Sequence, residues 1–264
     1  MPKLHAPKKR RRWISWLVAV VVTLSLVIAA LIIIDNLARD YATTYIRERI
    51  VELLKVGPDQ AVDVELGGGS VLAQALSGSI DKVRVSVDEL SFGELTGALE
   101  LTAKRVPLDT AKPVGELRAM FSVNEQNVAK LASYLSGQEL ASITLQEPEI
   151  RILSEFSFFG LVAVPVGVGL TPSAVDGQIL FEPTSVTLND ADISVDELRT
   201  GPFAGVSGTF LASRAFCVAQ YLPQALIVDD VDVIGKKLVV SINADGIALA
   251  DPALSTMGTC PPVQ

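Results

Sequence analysis

From Trp13 to Ile34 the chain runs without a charge, WISWLVAVVVTLSLVIAALIII, directly after Lys8, Lys9, Arg10, Arg11 and Arg12. As an α-helix this stretch is ~33 Å long, about the thickness of a bilayer's hydrocarbon core, so a membrane anchor is the first expectation. Lys and Arg flanking a first helix stay on the cytoplasmic side. The expected layout is a basic cytoplasmic tail over 1–12, a single pass through the plasma membrane over 13–34, and everything after Asp35 outside. A cleaved secretory signal shares the charged start, but its apolar region is shorter and ends in small residues. Here the run leaves through Leu31-Ile32-Ile33-Ile34-Asp35, which favours a retained anchor.

The charge divides at the same place. Six of the 22 Lys and Arg lie in the tail, whereas all 30 Asp and Glu follow Ile34, so the outer part carries a net charge of −14. That argues against a nucleic-acid partner, which needs a basic footprint. The composition is 49% hydrophobic but only 6% aromatic, so the apolar content is aliphatic. The one histidine, His5, sits in the tail, which removes Ser-His-Asp, Cys-His and histidine–metal chemistry from the outer part. Cys217 and Cys260 fall where a disulfide persists, and pairing them would tie the C-terminal tail onto the domain. Two unrelated buried thiols are the alternative.

After the anchor, residues 35–57 read as an amphipathic helix, with Ile46, Ile50, Leu53 and Leu54 on one face and Gly57-Pro58 as its stop. The period then changes to two at Val62, Val64 and Leu66, at Val83, Val85 and Val87, and at Leu99, Leu101 and Ala103. A short helix from Ser70 to Leu76 ends at Gly78. A third runs from about Asn124 to Ser136 with Val128, Leu131, Ala132 and Leu135 on its apolar face, capped by a Ser122/Glu125 box or by Asn124. Further strands are expected at 143–145, 150–152, 158–170, 178–181 and 185–188. A fourth helix is expected over Ser213 to Leu222, a hairpin turning at Gly235-Lys236, and a last extended piece from Gly246 to Leu249. Helices packed on antiparallel strands make an α+β plan, with residues 58–264 as one extracytoplasmic domain.

Phe158 to Leu170 reads as one strand, apolar on both faces. It is either a central strand buried between two layers, or a bent strand with one face lining an apolar groove. Val85-Ser86-Val87-Asp88-Glu89-Leu90 is echoed by Ile193-Ser194-Val195-Asp196-Glu197-Leu198, from a duplicated strand-and-turn unit or from convergent turn chemistry. Asp190-Ala191-Asp192 and Asp230-Val231-Asp232 have a spacing that places two carboxylates on one face of a strand, oxygen ligands of the kind that hold a hard cation. A solvated edge has the same spacing, and no nucleotide-binding motif accompanies either pair. Gly67-Gly68-Gly69-Ser70 lacks the lysine of a P-loop and reads as a turn.

The basic tail, anchor and amphipathic helix lead into Ser70-Val71-Leu72-Ala73-Gln74-Ala75-Leu76-Ser77-Gly78-Ser79-Ile80-Asp81-Lys82-Val83-Arg84-Val85. Later come Phe216-Cys217-Val218-Ala219-Gln220-Tyr221-Leu222-Pro223, Val231-Asp232-Val233 and Ala244-Asp245-Gly246-Ile247-Ala248-Leu249. In these stretches the chain resembles the LmeA family of actinobacterial envelope proteins, over most of Ala61 to Leu249. The resemblance implies a long curved antiparallel sheet wrapped on helices, akin to tubular lipid-binding folds. It also implies phospholipid binding outside the plasma membrane and a role in building mannosylated lipids. No catalytic motif carries over, and the expectation is a non-enzyme with no cofactor and no metal. Candidate groove residues are Leu53, Leu54, Leu72, Leu76, Val128, Leu131, Leu135, Phe158, Leu161 and Val164. The rival reading is a structural or assembly module that binds a protein partner at the envelope.

Overall fold

The computed structural model describes residues 9–54, 57, 60–92, 95–136, 142–158, 162–188, 191–195, 197 and 213–260. Its first element, α1 (Lys9–Leu54), is one uninterrupted helix of 46 residues. The anchor and the amphipathic helix expected as two segments are therefore continuous across Asp35. No Gly or Pro lies between Trp13 and Leu54, so nothing in the backbone interrupts the ladder. Beyond Asp35, Ala38, Ala42, Ile46, Ile50 and Val51 turn onto the hydrophobic core.

The chain continues through β1 (Val62–Gly67), α2 (Val71–Ser77), β2 (Ser79–Phe92), β3 (Leu95–Pro107), β4 (Glu116–Asn124) and α3 (Glu125–Ser136). Then come β5 (Ser142–Gln146), β6 (Glu149–Phe158), β7 (Val162–Val175), β8 (Gln178–Leu188), β9 (Ala191–Ser194), β10 (Arg214–Cys217), β11 (Ile227–Ile234) and β12 (Lys237–Asn243). The fold is α+β with its strands in two antiparallel sheets. The first runs β1-β2-β3-β4-β12-β11, and the second β10-β8-β7-β6-β5, with β9 also on β8.

In the first sheet the period of two seen in the sequence becomes an inner face. Val62, Val64 and Leu66, then Val83, Val85, Val87 and Leu90, then Phe121 and Val123, then Val228, Val231 and Val233 are all buried. Each such side chain contributes ~1.5–3 kcal/mol relative to exposure. The outer edge of β1 would leave its carbonyls unpaired, and α1 covers it. Arg47 Nε donates to Val62 O at 2.8 Å, and Arg39 donates to Leu66 O at 2.5 Å and to Gly69 O at 2.8 Å. Eight helical residues rise ~12 Å and four strand residues ~13 Å, so the two arginines match alternate carbonyls of an antiparallel edge.

The short second helix is closed as its sequence suggests. Ser70 Oγ accepts from Ala73 N at 3.1 Å, and Gly78 ends the helix in the left-handed region at φ 81°. At α3 the cap is Asn124, whose Oδ1 accepts from Asn127 N at 2.9 Å. Glu125 instead accepts from Leu145 N at 2.8 Å and ties α3 to the second sheet.

Three expectations are corrected. Phe158 to Leu170 is not one strand: Phe158 ends β6 and pairs with Val162 of β7, so the apolar run is a hairpin. Ser213 to Leu222 is not a helix: Arg214–Cys217 pairs with Gln178–Phe181, leaving only the 3-10 turn Ala219–Tyr221. Two helical turns of propensity yield to a full ladder and a disulfide. Gly246 to Leu249 forms no strand, only a bridge from Ala248 to Pro113.

Cys217 and Cys260 are bonded, with their Cα atoms 5.9 Å apart and a sequence separation of 43. The tail so fixed lies along the segment that leads from β10 in the second sheet to β11 in the first. Gln224 N donates to Thr256 O at 2.7 Å, and Gly258 N to Leu222 O at 2.9 Å. Val218, Leu222 and Leu226 of that segment pack on the core, so the clasp holds the two sheets together.

Candidate functional site

The second sheet carries an apolar row that crosses five strands. Ile143 of β5 pairs with Ile152 of β6, Ile152 with Val168 of β7, Val168 with Val186 of β8, and Val186 with Ile193 of β9. Side chains paired in this way lie on one face, and four steps of ~4.8 Å give a floor ~19 Å long. Val186 is buried, whereas Ile143, Ile152, Val168 and Ile193 are half-buried. The next row toward the β5–β6 turn, with Leu145 and Ile150, is inside the closed core. Val186 and Val195 form a separate cluster with Val166 and Ile193 at its margin. Ile143 packs on the closed core at one end of the row and Val186 and Ile193 belong to the second cluster at the other, so Ile152 and Val168 are the stretch left between two packed regions.

The opposite face of β7 is built differently. Its residues there are Gly167 and Gly169, and neighbouring strands reach across them. A Cβ at Gly169 would collide with Ser185 Oγ and Glu149 Oε2. Glu149 accepts from Thr184 Oγ1 and from Ser185 Oγ, each at 2.9 Å, and pairs with Arg151 Nε at 3.4 Å. Glycine thus makes room for a polar network on the back of the sheet. Neither sequence reading of β7, buried between two layers or grooved on its second face, anticipated that arrangement.

The turn that makes the β7–β8 hairpin is Asp176-Gly177, with φ of 48° and 76° between the paired Val175 and Gln178. Positive φ at both central residues defines a type I′ turn, for which Asp-Gly between apolar runs is the sequence signal. That signal identifies the hairpin, which brings together two of the row's five residues, Val168 and Val186, across a bulge after Gly169.

The candidate groove residues are dispersed. Val128 is buried in the core beneath the first sheet, Leu72 is half-buried on α2, and Leu76 is exposed to solvent. Leu53 and Leu54 end α1, Leu131 and Leu135 lie on α3, Phe158 ends β6 and Val164 lies on β7 opposite Phe156. The side chains of those six, and Leu161 altogether, lie outside the described residues, so no common groove can be drawn from the set.

A concavity of about 590 Å³ opens elsewhere, where α1 passes β1 and β2, lined chiefly by Arg39, Asp40 and Thr43 of the helix and Glu65, Lys82 and Arg84 of the strands. Arg84 and Glu65 pair at 3.3 Å. Its lining is charged, unlike the row on the second sheet.

Of the two Asp-x-Asp pairs, Asp190 lies outside the described residues. Asp230 and Asp232 project from β11 on its exposed side. A hydrogen bond with Asp230, with some burial and the nearby Glu147, raises the Asp232 carboxyl above its ordinary pKa. Like charges crowd there, and among the described residues no group of three His, Cys, Asp or Glu is placed to hold a metal.

A family model for LmeA-like phospholipid-binding proteins matches residues 34–243. No curated protein sequence and no solved structure matched the chain.

Proposed function

The chain belongs to the LmeA-like phospholipid-binding family, and from that membership we propose that it shelters phospholipid acyl chains on the outer side of a membrane to which α1 anchors it. The observation that carries this reading is the half-covered apolar row from Ile143 through Val168 to Ile193. Its ~19 Å length suits one acyl chain, since a single leaflet of hydrocarbon is ~15 Å thick. Each CH₂ removed from water stabilises the complex by about 0.8 kcal/mol, so ten carbons supply about 8 kcal/mol before ordering costs. Shape alone suffices for such binding, and no reacting group is required.

The basic tail sets the orientation, with 1–12 in the cytoplasm and 58–264 outside. The protein acts without catalysis, moving or presenting phospholipid for envelope glycolipid assembly. Tethering keeps the binding face near its donor leaflet, so high affinity is unnecessary.

The test is the lipid recovered with the full chain. Phospholipid extracted from the purified protein and measured by mass spectrometry should be abundant for the wild type and strongly reduced for Val168→Arg, which places a charge in the middle of the row. Equal recovery from both would remove the row from the account. Absence of lipid from both, with a captured protein in its place, would favour an assembly module.

A further inference from the structure

Because α1 does not break after Ile34, no linker separates the apolar run from the folded domain. The height of each nearby group above the hydrocarbon is therefore set by helical rise. Asp35 lies one residue beyond the run, at the boundary between acyl chains and headgroups. Its carboxylate accepts from Ser70 Oγ at 2.7 Å and from Leu72 N at 3.0 Å. The N-terminus of α2 is thereby pinned at that boundary.

Hydrogen bonds extend this level along one end of the first sheet. Gly78, which closes α2, accepts from Leu108 N at 3.0 Å, and Thr110 O accepts from Ala250 N at 2.9 Å. Val114 N donates to Ile247 O at 2.8 Å. The same end carries exposed apolar side chains on four separate segments. Leu37 and Tyr41 on α1, Leu76 on α2, Leu108 after β3 and Leu249 after β12 are between 44% and 90% exposed. Leu37 stands ~4.5 Å and Tyr41 ~10 Å beyond the run, heights that fall within or just above the headgroup layer. Trp16 and Tyr41 are ~37 Å apart along the helix, close to the spacing of the aromatic belts that flank a bilayer.

We propose that this rim, formed by Leu37, Tyr41, Leu76, Leu108 and Leu249, is a docking surface seated in the outer leaflet of the phospholipid bilayer that α1 crosses. The occupant is the lipid surface, because the uninterrupted helix leaves the rim no other level at which to sit. The charged cleft of Arg39, Lys82 and Arg84, with Asp40 and Glu65, opens along the same stretch of α1. Both signs of charge there suit zwitterionic headgroups. Asp109, Asp245 and Asp251 share the rim, so apolar insertion rather than net charge holds it. Docking would orient the domain and keep the second sheet at a fixed distance from its lipid source. The inference rests on α1 spanning the membrane.

The test uses the full chain reconstituted in phosphatidylcholine vesicles. The two native cysteines are bonded, so a single introduced cysteine can carry an environment-sensitive fluorophore. Labels at Leu108→Cys and Leu249→Cys should shift to the blue and lose most of their emission when the vesicles contain phospholipid spin-labelled near the headgroup. A label at Ile234→Cys, at the opposite end of the first sheet, should keep its emission. Adding Leu76→Asp to the Leu108→Cys protein should restore much of the lost signal. A label at Val27→Cys, quenched by deep spin labels, reports the span independently. If Val27 is quenched while Leu108 and Leu249 behave like Ile234, the docking proposal is overturned and the anchor stands. If Val27 is not quenched, both fall, whereas the lipid recovered with the protein remains a separate measurement.

Discussion

The two sheets use similar residues to different ends. Inner positions of the first sheet from β1 to β11 are occupied by Val, Leu, Ile and Phe that the core covers, and its free edge at β1 is capped by Arg39 and Arg47. In the second sheet, Leu145, Ile150 and Ile179 join that core at one end, while Ile152 and Val168 farther along are half-buried. Its back is closed by a Glu149 network rather than by a second apolar layer. A sealed sheet holds the fold. A sheet whose middle is only half covered has apolar surface left over, and that surplus is the proposed seat of an acyl chain.

The largest effect that could break this contrast is a buried charge. Val231→Arg in the first sheet leaves an uncompensated cation in the closed core and should cost more than ~3 kcal/mol, enough to prevent folding at ordinary temperature. Val168→Arg should fold, with a loss of less than ~2 kcal/mol, because its side chain can reach water. Circular dichroism during thermal unfolding reads both. If the two variants unfold alike, the second sheet is as sealed as the first and the contrast is lost.

The clasp between the sheets comes next. Cross-linking residues 43 apart in sequence restricts the unfolded chain by about 4 kcal/mol. Cys217→Ser and Cys260→Ser should each lower stability by that order, and the double variant by no more than either alone. Denaturant titration tests this, and additive losses would mean that each cysteine acts through its own packing.

The smallest effect sits on β11. Folding raises the Asp232 pKa above its ordinary 3.8, so the folded chain holds that proton more tightly than the unfolded one. The stabilisation is complete below pH 3.8 and is lost as pH rises through the folded value, leaving repulsion from Asp230 at neutral pH. Asp232→Asn should therefore gain stability at pH 7 by less than ~1 kcal/mol, the group being largely exposed, and the gain should vanish in acid. A constant difference across the pH range would assign the effect to something other than titration.

Much of the first sheet was legible because its strands alternate cleanly and its turns carry Gly or Pro. The second was harder to read. Phe158 to Leu170 is apolar without a break, so composition could not locate the reversal between β6 and β7, whereas Asp176-Gly177 does mark the next one. The repeated hexapeptide shows why local pattern has limits. In β2, Val85, Val87 and Leu90 stay extended because the core buries them, with a bulge after Val87. In the second copy Ser194 Oγ accepts from Glu197 N at 3.1 Å, Ser194 N donates to Glu197 Oε2 at 3.4 Å, and Val195 and Glu197 are helical. The same Ser-x-x-Glu stays extended where paired strands and the main core hold it on both sides and becomes a capping box where the strand ends at Ser194, with Val195 buried in a small separate cluster. The apolar row was illegible for a related reason. Its five residues come from five strands, and only register aligns them.

The central claim is that this row holds an acyl chain, and the most direct measurement is photo-crosslinking of the full chain to a phospholipid carrying a diazirine midway along its acyl chain. The account predicts labelled peptides from β6, β7 and β8 that include Ile152, Val168 and Val186, and loss of that label in Val168→Arg while α1 remains labelled. Labelling confined to α1, with β6 to β8 untouched in the wild type, would contradict it.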